Sequence, residues 1–140
     1  MVPDETPQGN PPYAIAMVVC DFIWRDPGTG KFTILGTFSS IAAAAFPCVH
    51  PVMAVFVALT DGRGKTPIKL RLIDVDEEND PLFEGDMDVE WTDPRMIAEI
   101  AFVVQGAAFP APGEYRFQLF AGSESLMERR ILILEITTQG

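Results

Sequence analysis

Cysteine and histidine are scarce in this 140-residue chain, which contains two cysteines and one histidine. Two cysteines are too few for the disulfide framework that holds many small secreted domains together. Cys20, Cys48 and His50 also fall short of the four ligands of a usual zinc site. We expect both cysteines to be free thiols that pack as small hydrophobes. A Cys20–Cys48 disulfide and a reactive thiol are the alternatives.

Basic residues are also few: 10 Lys and Arg stand against 20 Asp and Glu, which gives a net charge of −10. Because Lys and Arg supply most of the affinity for nucleic acid, we expect neither nucleic acid nor an anionic membrane surface as a partner. No apolar run approaches the roughly 20 residues that span a bilayer. The N-terminus is acidic where a secretory signal is basic, so a cytoplasmic protein is expected.

The rest of the chain alternates apolar runs with turn residues. Residues 1–12 are rich in proline, and we predict a flexible tail there. Residues 13–137 carry short runs rich in Val, Ile and Phe, separated by Gly, Pro, Asp and Asn. This pattern predicts a single all-β domain, an antiparallel immunoglobulin-like β-sandwich of eight or nine strands. Short links favour antiparallel pairing, because parallel neighbours need long crossovers. Residues 40–46, with four alanines, are expected to form a helical turn or a crossover.

The sequence predicts the pairing register between two segments. Residues 68–72 and 83–91 both alternate apolar and polar side chains. A hairpin centred between Glu77 and Glu78 sets Lys69 opposite Asp86 and Arg71 opposite Glu84. Opposite charges that face each other across an antiparallel pair favour that register.

Two resemblances follow from short motifs. Residues 112–117 (PGEYRF) resemble the start of the penultimate strand of immunoglobulin-like sandwiches, where a tyrosine, here Tyr115, hydrogen-bonds back to the preceding corner. The segments MVVCD at 17–21, GTF at 36–38, FPCVHP at 46–51, LTDG at 59–62 and PGEY at 112–115 occur in that order. Together they resemble an uncharacterised bacterial family of small β-sandwich proteins, a domain of unknown function. The resemblance implies the fold and an intracellular bacterial setting, and it implies no activity.

Acidic residues supply two candidate sites. One face of residues 83–91 carries four carboxylates, which form either a solvated sheet face or an interaction face for a basic partner; they are Glu84, Asp86, Asp88 and Glu90. The loop before them offers oxygen ligands at alternate positions, a weak candidate for a calcium site that lacks the central glycine and distal glutamate of known loops. Its ligands would be Asp74, Asp76, Glu78 and Asp80.

Two further polar features lie in apolar surroundings. Cys48 and His50 are two positions apart, so an extended segment points both side chains to one side. Asp21 interrupts an apolar run and is expected to be exposed or, preferably, ion-paired with Arg25, Arg129 or Arg130.

The sequence contains no cofactor motif and no nucleophile with an evident base. We therefore expect no enzyme and no cofactor, but a non-catalytic binding or assembly module that contacts a protein partner or a second copy of itself. The alternative is a small-ligand binder or atypical enzyme that uses the corner around Cys48 and His50.

Overall fold

The computed structural model describes residues 11–76 and 80–137, and these residues form nine β-strands and no helix. Most of the predicted tail, residues 1–10, lies outside the described residues. The strands are β1 (Tyr13–Arg25), β2 (Phe32–Thr37), β3 (Ser40–Ala43), β4 (Cys48–Thr60), β5 (Gly64–Asp74), β6 (Phe83–Trp91), β7 (Ala98–Phe109), β8 (Gly113–Ala121) and β9 (Glu124–Glu135). The all-β prediction is confirmed, and a membrane-crossing helix is absent from the described part of the chain.

The strands form two sheets with the apolar core between them. One sheet has four strands in the order β2-β1-β4-β7, and the other has five in the order β3-β9-β8-β5-β6. Val57 of β4, Leu70 of β5 and Phe117 of β8 are fully buried in this core. Each such side chain stabilises the fold by about 1.5–3 kcal/mol through burial alone. The apolar side chains that face inward from both sheets therefore hold the two sheets together.

The register predicted for the β5–β6 hairpin is confirmed. Lys69 lies opposite Asp86, and Arg71 lies opposite Glu84. The tip at residues 77–79 lies outside the described residues. Charge pairing and hydrophobic alternation demand the same register here, because a slip of one residue would turn the apolar face toward solvent.

The prediction of purely antiparallel pairing is wrong for β3. Residues 40–43 form no helical turn, but a short strand within the crossover between the two sheets, and it pairs in parallel with β9, with Ser40 opposite Leu132. The chain leaves the four-stranded sheet after β2 and joins the edge of the five-stranded sheet. The argument from short links applies only to consecutive strands. Because β3 and β9 are far apart in the chain, all the strands between them supply the long crossover that parallel pairing needs.

The face of β4 that points toward the core switches at Pro51. This proline lies opposite Gly106 of β7, whose φ of +65° is in the left-handed region that glycine adopts readily. Proline is disfavoured in a central strand, because it has no N–H to donate to a neighbouring strand. The strand nevertheless begins at Cys48, and Pro51 is accommodated because β1 pairs with β4 only on the far side of Met53.

The hairpin of β1 and β2 folds back over the outer face of the four-stranded sheet. Phe56 of β4 points away from the core, because the residues on either side of it face the core. The ring of Phe32, at the far end of the hairpin, nevertheless lies 5.7 Å from the ring of Phe56. Pairing of β1 with β4 ends at Cys20, where the hairpin leaves the sheet. The covering hairpin accounts for the complete burial of Cys20 on an outer face.

Candidate functional site

The predicted Cys48/His50 corner lies at the start of β4. Cys48 is half-buried and packs against the core. The imidazole of His50 lies beside the ring of Phe38, with 5.9 Å between the ring centroids. Across the described residues, no hydrogen bond joins the thiol to the imidazole, so the contact by which a base activates a nucleophile is not formed. A ligand or catalytic role for this corner stays a prediction.

The two cysteines are free thiols, as expected, and the disulfide alternative is wrong. Cys20 lies opposite Ala54, six positions along β4 from Cys48, which puts the two thiols out of bonding reach. The Cys20 thiol is 3.6 Å from the carbonyl oxygens of both Phe22 and Ala54. Burial raises the pKa of this thiol, which disfavours the reactive thiolate.

Asp21 is exposed, which was one of the two expectations. The preferred prediction, an ion pair with an arginine, is wrong. Within the described residues Asp21 forms no salt bridge, and two of its three expected partners are engaged elsewhere. Arg129 donates to the carbonyl oxygen of Met17 at 2.8 Å, and Arg130 pairs with Glu114 at 3.1 Å. Asp21 instead lies exposed against Gly36.

The candidate calcium loop is only partly described. Asp74 is half-buried at the end of β5, Asp76 and Asp80 are exposed, and Glu78 lies outside the described residues. Within residues 11–76 and 80–137, no group of three or more His, Cys, Asp or Glu side chains is placed to hold a metal ion. Weak calcium binding at this loop stays a prediction.

A shallow depression of about 360 Å³ lies beside this loop, between residues 74–76 and 110–115. Tyr115 lines it, but the tyrosine hydroxyl already donates a 2.7 Å hydrogen bond to the carbonyl oxygen of Ala111. Burial raises the pKa of Tyr115, so the phenol keeps its proton for this bond. The bond is the one predicted from the PGEYRF motif, and it makes Tyr115 a structural residue of the corner.

The four carboxylates of the predicted acidic row are exposed on β6, an edge strand of the five-stranded sheet. Three of them face basic residues of β5, and only Asp88 faces a proline; the pairs are Lys65–Glu90, Pro67–Asp88, Lys69–Asp86 and Arg71–Glu84. Lys65 also reaches Asp88, with its Nζ 3.6 Å from Oδ2. The neighbouring Lys and Arg side chains reduce the negative electrostatic potential of the acidic row. The role of the row as an interaction face stays a prediction.

A chain of polar contacts, which we call the polar ladder, crosses the same sheet from β9 through β8 to β5. Glu114 accepts from Arg116 at 3.0 Å and from Arg130 at 3.1 Å, and Glu128 accepts from Arg116 at 3.3 Å. Gln118 joins Glu128 to Arg71 through contacts of 3.0 and 2.9 Å. The Arg116 and Arg130 guanidinium groups hold the pKa of Glu114 below its usual range. Sequence reasoning missed this ladder, because it depends on the β8–β9 register.

Several exposed apolar side chains lie on the four-stranded sheet. Phe22 of β1 and Leu35 of β2 lie directly opposite each other on the outward side of the folded-back hairpin, 54% and 50% exposed. Trp24 continues this surface at 46% exposure. We call these three residues the hairpin patch. The unbroken apolar run of Phe22, Ile23 and Trp24 is the sequence feature that could have indicated this surface. A strand with contacts on both faces loses the usual alternation of apolar and polar side chains.

The sequence also matches a family model. A family of unknown function, DUF6941, covers residues 15–134. The chain belongs to DUF6941. The predicted resemblance to a family of unknown function is thereby confirmed. No curated protein matches this DUF6941 chain.

Two solved structures resemble the DUF6941 chain at low identity, and both are β-glucosidases. The enzyme EmGH1 from Erythrobacter marinus is 17% identical over 69% of this chain, with a TM-score of 0.46. The enzyme from Listeria innocua is 11% identical over 90% of this chain, again with a TM-score of 0.46. The chain spans only 14% and 17% of these two enzymes. Neither likeness bears on the activity of the DUF6941 chain.

Proposed function

We propose that this protein is a non-catalytic binding or assembly module whose contact surface lies on its four-stranded sheet. The observation that carries the proposal is the contrast between the two outer faces. On the five-stranded sheet, the polar ladder and the charge pairs of β5 and β6 occupy the centre and the β6 edge, and exposed apolar side chains remain at Met87, Leu132 and Leu134. The four-stranded sheet instead presents the hairpin patch and exposed valines of β4 and β7.

The exposed valines extend the apolar surface beyond the hairpin. Val49 and Val52 of β4 and Val103 of β7 are 58%, 46% and 56% exposed. Large apolar patches on soluble proteins mark interaction sites, because leaving them in water forgoes the gain of burial. The net charge of −10 favours a protein over nucleic acid as the partner that covers this surface.

The strand arrangement supports an immunoglobulin-like sandwich as the scaffold. In that fold, strands A, B, E and D form one sheet, and the other sheet is built on C, F and G. Here β1, β4 and β7 fit A, B and E, while β5, β8 and β9 fit C, F and G. β6 fits the additional strand C′, and the Tyr115 corner lies at the start of the F equivalent. No described strand occupies the D position beside β7.

The experiment that tests this function maps contacts in the cell that makes the protein. A photo-crosslinking amino acid replaces Trp24 or Val103 on the four-stranded sheet, and Asp86 or Gln118 on the five-stranded sheet. We expect protein adducts from Trp24 and Val103, and only background from Gln118. Adducts from Asp86 alone would move the contact surface to the acidic row. Equal yields at all four positions would overturn the proposal.

A further inference from the structure

The edge of β7 lacks the devices that protect the other sheet edges. The two sheets have four edge strands, namely β2, β3, β6 and β7. β2 and β3 are short, with 6 and 4 residues, and β6 carries a row of carboxylates. Short length and charge both prevent unwanted pairing at an edge. β7 has 12 residues and Glu99 as its one charged residue.

The accessible stretch of this edge runs from Ala98 to Gly106. Up to Gly106 the strand alternates regularly, with Ile100 and Phe102 buried in the core and Ala101 and Val103 exposed on the outer face. The positive φ of Gly106 ends this regular stretch. Immunoglobulin-like sandwiches place strand D at the corresponding edge. The edge is therefore a place where one more antiparallel strand continues the sheet.

We propose that this strand is β7 of a second copy of the chain, paired antiparallel about a twofold axis at Phe102. The inference rests on the proposed function, since it uses the same sheet and names the partner. With Phe102 facing Phe102 of the second copy, Glu99 lies opposite Gln105 and Ala101 lies opposite Val103. The two four-stranded sheets then become one continuous sheet of eight strands.

The self-complementarity of the sequence argues for a second copy. Antiparallel pairing requires opposite residues to share a face, and this register satisfies that condition over residues 98–106. The carboxylate of Glu99 lies opposite the side-chain amide of Gln105, which can donate a hydrogen bond to it. The two Glu99 side chains lie at opposite ends of the interface. The remaining outer-face pair is apolar on both sides. No like charges face each other, although pairing brings together two chains of net charge −10.

The net charge allows a first test of pairing, namely its dependence on salt. Repulsion between two chains of charge −10 opposes pairing, and salt screens it. Sedimentation velocity of the full chain at increasing NaCl is therefore expected to show a rising fraction of a species of twice the 15.4 kDa chain mass. A single-chain mass at every concentration and salt level would overturn the second copy as the partner. In that case, crosslinks from Val103 to another protein would still support the proposed function.

A charge substitution then locates the interface. Val103→Glu is expected to abolish the two-chain species, because each introduced carboxylate would lie diagonal to Glu99 and to the other introduced carboxylate across the interface. Leu134→Glu is the control, since Leu134 is 47% exposed against 56% for Val103 and lies on β9 of the five-stranded sheet, outside the proposed contact surface. This control should pair like the unmodified chain. Pairing by the Val103→Glu variant, or equal loss in both variants, would contradict the β7 edge as the interface.

A rescue variant tests the register. Ala101→Lys added to Val103→Glu sets a lysine opposite each introduced glutamate, so the two-chain species should return. Absence of rescue in a variant with an unchanged circular dichroism spectrum would overturn the axis at Phe102. Hydrogen exchange of the unmodified chain gives a readout that needs no substitution. Within residues 98–106, the amides that point away from β4, which are every second one, should gain protection with concentration. Unchanged protection of these amides in a two-chain species would place the interface elsewhere.

Discussion

The hydroxyl of Tyr115 donates a 2.7 Å hydrogen bond to the carbonyl oxygen of Ala111, and this bond fixes the corner between β7 and β8. The ring packs edge-on against Phe109, with 4.9 Å between the centroids. Tyr115→Phe keeps the ring and removes the bond. We expect it to lower the free energy of unfolding by about 1 kcal/mol, the usual net value of one hydrogen bond. Urea denaturation followed by tryptophan fluorescence measures the change.

Tyr13→Phe is the control for this substitution. Tyr13 is 67% exposed, and its hydroxyl makes no hydrogen bond within the described part of the chain. We expect its replacement to leave the unfolding curve unchanged. Equal losses in the two variants would show that the Tyr115 hydroxyl contributes nothing specific to the corner.

Local chemistry made part of the fold predictable. The Tyr115 bond follows from a short motif, and the β5–β6 register follows from alternation and from Lys69 facing Asp86. Both depend on residues close together in the chain. The parallel pairing of Ser40 with Leu132 depends on where the chain re-enters after changing sheets, which no local pattern encodes. The fold-back of the hairpin onto Phe56 is of the same kind.

The candidate sites were likewise predictable only where they depend on local sequence. Sequence spacing placed Cys48 and His50 on one side of a strand, but it could not show that His50 packs beside Phe38 without bonding the thiol. The acidic row was visible as a pattern, while the cations opposite it required a register. The exposure of Phe22 was not predicted, although the unbroken apolar run around it was visible, because an apolar residue is assigned to the core until the structure shows which face is covered.

Gly36 gives a prediction about the bend of the hairpin. Its φ is +69°, and a Cβ added there would stand 2.5 Å from Oδ2 of Asp21. Gly36→Ala therefore meets both a strained backbone and a clash. The backbone alone costs about 1–2 kcal/mol in the left-handed region. We expect a larger loss than that in thermal and urea unfolding.

The two contributions at Gly36 can be separated. Gly122→Ala is the control, because Gly122 has a φ of +58° and nothing within 4 Å of an added Cβ. This control should show the backbone cost alone. The double variant Asp21→Ala/Gly36→Ala removes the clash and is expected to approach the value of the control. If Gly36→Ala is no worse than Gly122→Ala, the carboxylate of Asp21 moves aside freely and does not constrain the bend.

The polar ladder makes the stability depend on pH through Glu114. Hydrogen bonds from Arg116, followed by those from Arg130, hold the pKa of Glu114 below its usual range. A carboxylate whose pKa is lower in the folded than in the unfolded state stabilises the fold above its unfolded pKa. This contribution is lost as the pH falls through the lowered folded pKa. The window therefore begins near the ordinary glutamate pKa of about 4.3 and extends below it.

Glu114→Gln tests this dependence, because glutamine keeps the shape of the side chain and removes the charge. We expect the variant to be less stable than the unmodified protein at pH 7, by a difference that shrinks as the pH falls below about 4.3. Urea denaturation across that range measures it. Glu124→Gln is the control, since Glu124 forms no salt bridge in the described part of the chain, and its stability difference should stay small throughout. A Glu114→Gln difference that does not change with pH would mean that the ladder orders side chains without contributing electrostatic stability.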